Sequence, residues 1–293
     1  MYFFLALISM TGYAVHNLLI GKYARQVDGM SLAIHRNLFL AIGLSPFFFF
    51  ISLEDLQQLP SVLPLLIGAG LLGGISVTCY YMALRFLPMG VTSALTKTSA
   101  LFLTLWAYIF LGESIPTTSF IIILIILSST AYLGLQKHHM PHLDAKTEKG
   151  IAFSIANAFT ISLSFFLLSK ASREVNPLMA GYFWEVFIGL SALGLGFIRQ
   201  AVFKKKIEII PWEKFKKIAA ISTLTLVGTG GYTLAIESGP LSVVATIGSM
   251  GTVVISLLAY SYHKEKLNHK QWIGILIVVA SVIALKVSLD LAA

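Results

Sequence analysis

A chain of 293 residues that is 57% apolar and only 12% charged, with a mean hydropathy of +0.83, has too little polar surface for a water-soluble protein, where about 25% of residues are charged. Insertion in a membrane is what remains. The net charge of +8 then belongs to loops beside lipid headgroups and does not indicate nucleic-acid binding.

In chain order, apolar stretches long enough to cross ~30 Å of hydrocarbon occupy residues 2–20, 31–52, 62–84, 89–111 and 117–136, then 150–169, 178–199, 215–236, 241–262 and 270–288. The runs are continuous and do not alternate with polar residues, so they read as helices and not as barrel strands. The first span lacks a basic n-region and runs on to Ile20, so no cleavable signal peptide is expected. Cys79 is the single cysteine, and no intrachain disulfide can form.

The ten spans are five spans written twice. Residues 80–125 match residues 232–277 at a constant offset of 152, pairing Tyr80 with Tyr232, Ala83 with Ala235, Pro88 with Pro240, Tyr108 with Tyr260 and Glu113 with Glu265. Upstream the offset is 148, pairing Leu19 with Leu167, Lys22 with Lys170, Arg25 with Arg173 and Phe39 with Phe187. The expected architecture is an all-α membrane protein of ten transmembrane helices, arranged as two five-helix repeats at residues 1–140 and 149–293. Five is odd, so the second copy enters the membrane from the opposite side, and the repeats are inverted as in many secondary transporters.

Loops after the odd-numbered spans hold sixteen Lys and Arg residues, including Lys204, Lys205 and Lys206, against three on the other side, Lys170, Arg173 and Lys286. The positive-inside rule puts the loop 200–214 in the cytoplasm and both termini outside. Pro88 and Pro240 should each start a helix directly after a tight turn. Glu113 and Glu265 stand where a carboxylate can cap the N-terminus of the next helix. Gly68, Gly70, Gly73 and Gly74 in span three and Gly228, Gly230 and Gly231 in span eight suit close helix packing.

The segment Tyr81-Met-Ala-Leu-Arg-Phe-Leu-Pro88, followed by a span ending Leu111-Gly112-Glu113, resembles the EamA-type domain of the drug/metabolite transporter superfamily. Tyr232 to Pro240 with Lys264-Glu265 repeats the pattern less cleanly. The resemblance covers essentially the whole chain. It implies a multi-pass carrier of the bacterial inner (plasma) membrane, with export the commoner direction and both termini in the cytoplasm, opposite to the charge-based orientation. Substrates across the superfamily include amino acids, drugs, nucleotide sugars and sugar phosphates.

Ionisable residues inside spans are costly and mark function by default. Lys97, between Thr96 and Thr98, is roughly 12 Å deep at 1.5 Å per residue, too deep to snorkel with ease, and its repeat partner is Ser249. A cation there suits an anionic group; pairing with Glu185 is the structural alternative. Arg36, with His35 and Asn37, lies one turn into span two, and His16 with Asn17 near the end of span one. Trp184 and Glu185 enter from the other face in span seven, and Asn157 with Thr160 in span six. Tyr80, Tyr81, Trp106, Trp184 and Tyr232 can form cavity walls or plain packing.

The candidate substrate-binding residues are therefore Lys97, Arg36, Glu185, His16, Asn37, Tyr81, Asn157, Trp184 and Tyr232. Basic groups for a carboxylate and Glu185 for an ammonium fit a zwitterion such as an amino acid; alternatively Glu185 carries a coupled proton. His138, His139 and His142 sit in the connection between the repeats without supporting cysteines, so neither a metal nor another cofactor is expected. The function expected is secondary-active transport of a small polar or zwitterionic metabolite by alternating access. A proton-coupled multidrug or organic-cation exporter is the rival, and an integral membrane enzyme is disfavoured because Gly-x-Ser-x-Gly, His-Glu-x-x-His and Walker sequences are missing. Partners are a small molecule and lipid, and a monomer suffices.

Overall fold

The computed structural model describes residues 1–113, 116–136, 145–262 and 269–290. Among them every regular element is helical: α1 (Tyr2–Ala24), α2 (Gly29–Gly43) with a 3-10 helix (Ser45–Phe50), α3 (Leu53–Phe86), α4 (Met89–Lys97), α5 (Ser99–Leu111) and α6 (Thr117–Gln136). The second half comprises α7 (Ala145–Glu174), α8 (Pro177–Phe203), α9 (Trp212–Ser222), α10 (Leu224–Ser238), α11 (Leu241–Ser249), α12 (Gly251–Tyr262) and α13 (His269–Asp290). Nine helical segments of the described residues are long and apolar enough to cross a bilayer, and Thr117–Leu133 is a shorter apolar helix. Large side chains such as Leu71, Leu105, Phe197 and Ile273 are exposed on the outer faces, where lipid solvates them. The protein is an all-α membrane protein. Glu265 and the His138, His139 and His142 cluster lie outside the described residues.

Helix starts follow local capping chemistry. Asp28 accepts from Ser31 N at 3.0 Å to cap α2, Ser52 and Asp55 form a reciprocal capping box on α3, and Asn176 accepts from Leu178 N and Met179 N ahead of Pro177. Pro88 and Pro240 are the residues immediately before α4 and α11.

Span two, expected over 31–52, changes from α-helix to 3-10 helix at Leu44. Three further spans that read as continuous in the sequence are broken between α-helices, at Thr98 between α4 and α5, at Thr223 between α9 and α10, and at Met250 between α11 and α12. At each of these three breaks a hydroxyl bonds a carbonyl three residues back: Thr98 Oγ1 to Leu95 O at 2.6 Å, Thr223 Oγ1 to Ala220 O at 2.7 Å, Ser249 Oγ to Thr246 O at 2.7 Å. Such back-bonding competes with the helix ladder and bends it.

α3 is the central strut, packed on α7 and α8. Its glycines make the crossing possible. A Cβ on Gly70 would collide with Phe187, one on Gly74 with Ser191, and one on Gly73 would lie 2.7 Å from Ile188 Cγ1. At the end of α5, Gly112 takes φ +64°, a left-handed C-cap that glycine adopts without steric cost.

That turn aims Glu113 across the molecule. Its carboxylate accepts from Leu241 N at 2.7 Å, Ser242 N at 3.2 Å and Ser242 Oγ at 2.9 Å. The capped helix is thus α11, of the second half, and not the next helix in sequence as expected. Arg173 completes the joint, donating to Glu113 at 3.1 Å and to the carbonyls of Ile236 and Gly239 at 3.1 and 3.0 Å.

On the opposite side Asp28 ties the halves. Arg199 Nη1 lies 2.9 Å and Arg85 Nη1 3.5 Å from its carboxylate, while its N–H donates to Glu208 at 3.0 Å. Burial alone would raise the Asp28 pKa, but hydrogen bonds from Arg199 and Ser31 outweigh it and hold the carboxyl below its ordinary value. A depressed acid contributes stability above its unfolded pKa of about 3.9 and loses it as pH falls through the folded value. Thermal melts in detergent should therefore show no Asp28-dependent change between pH 8 and 5, and the gap between wild type and Asp28→Asn should shrink only below about pH 4. Separately, Gly70→Ala should lower stability by about 1–3 kcal/mol through overpacking, read as a fall in melting temperature, while Gly194→Ala, with open space at its Cβ, should be nearly neutral.

Candidate functional site

A cavity of about 180 Å³ lies among α1, α2, α3, α4, α5, α7, α8, α10 and α11. The helix breaks place polar atoms along its wall. Lys97 is the last residue of α4, and its Nζ reaches across to donate to Gly248 O of α11 at 2.9 Å. Both helices present their C-terminal carbonyl ends at this point, an environment that favours a cation. No carboxylate among the described residues lies within ion-pair distance of Lys97, so the alternative pairing with Glu185 does not occur.

Glu185 instead sits in a chain of neutral donors. Asn37 Nδ2 donates to its Oε2 at 3.1 Å, and Thr229 Oγ1 donates to its Oε1 at 2.8 Å. Tyr13 OH lies 2.9 Å from Thr229 Oγ1 and donates to it, since that hydroxyl proton is already given to Glu185. Arg36 Nη1 donates to Asn37 Oδ1 at 2.9 Å. Arg36 and Glu185 are only 5% and 2% exposed, and Asn37 joins the two charges through its amide. Isolated in hydrocarbon either would be prohibitive; joined, each has polar partners.

Eight of the nine sequence-derived candidates line the cavity: Lys97, Arg36, Glu185, His16, Tyr81, Asn157, Trp184 and Tyr232. Asn37 stands one layer behind, as the bridge just described. His16 Nδ1 bonds Asn17 Oδ1 at 3.1 Å while its Nε2 is buried without a partner, as are Arg36 Nε and Tyr232 OH. Asn157 Nδ2 donates to Ser76 O at 2.9 Å. Trp184 Nε1 donates to Ser164 Oγ at 2.9 Å, which donates to Ala69 O at 2.6 Å. Phe165 lies between Tyr232 and Trp184 in tilted contacts, with centroids at 4.4 and 5.4 Å, and the three rings form an aromatic stretch of the cavity wall.

Other residues singled out in the sequence lie elsewhere. His35 turns away, bonded to Ser31 O at 2.8 Å with its ring edge to Phe215; Thr160 bonds Ala156 O at 2.7 Å; Trp106 bonds Ser162 Oγ at 3.1 Å beside Phe159. Sequence reasoning missed Tyr13, Thr229 and Phe165, which carry no charge to stand out against an apolar run.

The Asn37 bridge makes a measurable demand. Arg36→Met and Glu185→Met should each cost about 3–5 kcal/mol by stranding the other charge. The double variant should cost clearly less than the sum, as a double-mutant cycle of melting data would register.

Comparison with known proteins bears on this arrangement. The model of the EamA-like transporter family matches residues 1–135 and again 148–286. The pseudopaline exporter CntI of two Pseudomonas aeruginosa strains is 22% identical over 196 residues, which span 63% of this chain and 66%, just under two thirds, of the exporter. A solved crystal structure superimposes with a TM-score of 0.71 over 99% of both chains at 18% identity, a likeness of fold alone. With matches to the family model over nearly its whole length, the chain belongs to the EamA-like transporter family.

Proposed function

We propose that the protein is a secondary-active carrier that moves a small polar or zwitterionic metabolite, an amino acid or related compound, through this cavity by alternating access, in the direction of export. The observation that carries the reading is Lys97: a buried-facing ammonium with a neutral carbonyl as its partner, in a cavity that also presents an aromatic wall. A carboxylate on the cargo would supply the missing counter-charge. Its apolar or ammonium portion would lie against Phe165, Trp184 and Tyr232. A volume of about 180 Å³, below the roughly 300–1,000 Å³ of drug-sized pockets, favours a metabolite over a drug.

Alternating access requires two near-equivalent halves, and paired contacts support an inverted repeat of ten helices. Under the offsets of 148 and 152, Ser9 corresponds to Asn157 and Ser76 to Gly228. Ser9 Oγ donates to Gly228 O at 2.7 Å, and Asn157 Nδ2 donates to Ser76 O at 2.9 Å, so one contact is made twice. The breaks at Thr98 and Met250 are likewise 152 residues apart. Asn37 and Glu185, partners at 148, bond each other, which fits residues beside a pseudo-two-fold axis. The domain division at 1–140 and 149–293 follows from the same reading. The relative's name, pseudopaline exporter, supports outward transport of a small metabolite.

Counterflow in proteoliposomes tests the proposal, with labelled amino acids, organic anions and cationic drugs as the panel. Saturable exchange of a zwitterion or anion is expected, falling at least tenfold in a folded Lys97→Ala variant. Movement of cationic compounds alone, or unchanged exchange by Lys97→Ala, would install the proton-coupled drug exporter in its place.

A further inference from the structure

The charges facing the cavity do not sum to zero. Among the described residues its lysine, arginine and carboxylate side chains are Arg36, Lys97 and Glu185. Glu185 accepts at both carboxylate oxygens, from Asn37 and Thr229, the pattern of an ionised carboxylate, and its charge offsets that of Arg36, joined to it through Asn37. His16 donates from Nδ1 to the Asn17 amide oxygen and keeps a partnerless Nε2, the pattern of a neutral imidazole. Lys97 donates to Gly248 O, a carbonyl. The carbonyl ends of α4 and α11 stabilise the ammonium through their dipoles, which allows it to stay charged in an empty site, but dipoles do not remove its charge. The empty cavity thus carries one positive charge more than a cavity holding a monoanion.

We propose that transport is driven by the membrane potential acting on the empty carrier, whose charged cavity is drawn to face the negative side, and that a cargo of one net negative charge discharges Lys97 and crosses without electrical work. This rests on the carrier reading of the same cavity, narrows its cargo from zwitterions and anions to species of one net negative charge, such as an amino acid with a second carboxylate, and adds the energy source. A ligand shifts a two-state equilibrium only by its differential interaction with the two states; here the field supplies that difference for the unloaded form alone. One elementary charge moved through the field is worth ~2.3 kcal/mol per 100 mV, a shift of up to about fifty-fold in the ratio of inward-open to outward-open empty carriers. The sign is independent of how the chain is inserted, because the cytoplasm is negative in either orientation. Empty carriers gather facing the cytoplasm, load there, and release outside. Each cycle exports one net negative charge down the potential and needs neither ATP nor a coupled ion. The Lys97 to Gly248 bond is the resting contact that the cargo's carboxylate displaces.

The test needs no cargo. Full-length protein reconstituted at high density in a planar bilayer, in buffer with an impermeant anion, is stepped between +100 and −100 mV, and the transient current is integrated. The expected result is a saturating charge of about one elementary charge per molecule, returned on the reverse step. It should vanish in Lys97→Gln and persist in Lys97→Arg, with folding of both checked by gel filtration and melting temperature. A wild type without the transient, or a Lys97→Gln protein that retains it, overturns the proposal. Counterflow by a protein that shows no transient would sink this inference and leave the carrier reading standing; loss of all counterflow would sink the carrier reading itself.

Discussion

Arg36 and Glu185, only 5% and 2% exposed, are held deep among the helices, and the amide of Asn37 joins them. Everything around the cavity is organised by that constraint. α2 supplies Arg36 and Asn37, α8 supplies Glu185, and α10 supplies Thr229, so the halves of the chain meet through a polar chain in which each member satisfies another. A buried network of this kind adds little net stability over an apolar core of the same shape. What it does is fix which faces of α2, α8 and α10 meet, since a rotation of any one would strand a charge.

Much of this was legible in the sequence because charge in an apolar run is a conspicuous signal. Lys97, Arg36 and Glu185 stood out for that reason, and all three face one cavity. The uncharged members did not stand out: Thr229 and Tyr13 look like any threonine and tyrosine in a span, and their meaning comes from a carboxylate distant in sequence. The helix breaks were hidden for a related reason. Thr98, Thr223 and Ser249 bond carbonyls three residues away, yet the same residues are compatible with an unbroken helix, and the choice is made by packing. Glu113 was recognisable as a cap, but a helix N-terminus from the other half of the chain competes with the one next in sequence, and the left-handed turn at Gly112 decides between them.

The two copies have kept the frame and divided the chemistry. Pro88 and Pro240 precede matching helices, and the Ser9 and Asn157 contacts repeat. At cavity positions the repeat partners differ: Arg36 corresponds to Trp184, Asn17 to Phe165 and Lys97 to Ser249, while His16 corresponds to Ser164, which lies behind the wall bonded to Trp184 and Ala69. The basic groups Lys97, Arg36 and His16 come from the first copy, and the Phe165, Trp184 and Tyr232 cluster with Glu185 from the second, while tyrosines, hydroxyls and side-chain amides come from both.

Under the carrier reading proposed above, such division would give a repeated scaffold a directional binding site. A perfectly repeated pair would present two cations or two aromatic walls and would bind an elongated cargo equally well in either sense. With Lys97 supplied by one copy and Phe165, Trp184 and Tyr232 by the other, an anionic head and an apolar body would have one favoured orientation. The helix breaks bear on both features: Thr98 ends α4 at Lys97 and Met250 ends α11 beside Gly248, so the atoms that hold the charge are the atoms at which these two spans bend. In the proposed carrier, a cargo that takes Lys97 from Gly248 would act on the contact between the halves, the place from which binding would change which side of the membrane the cavity faces.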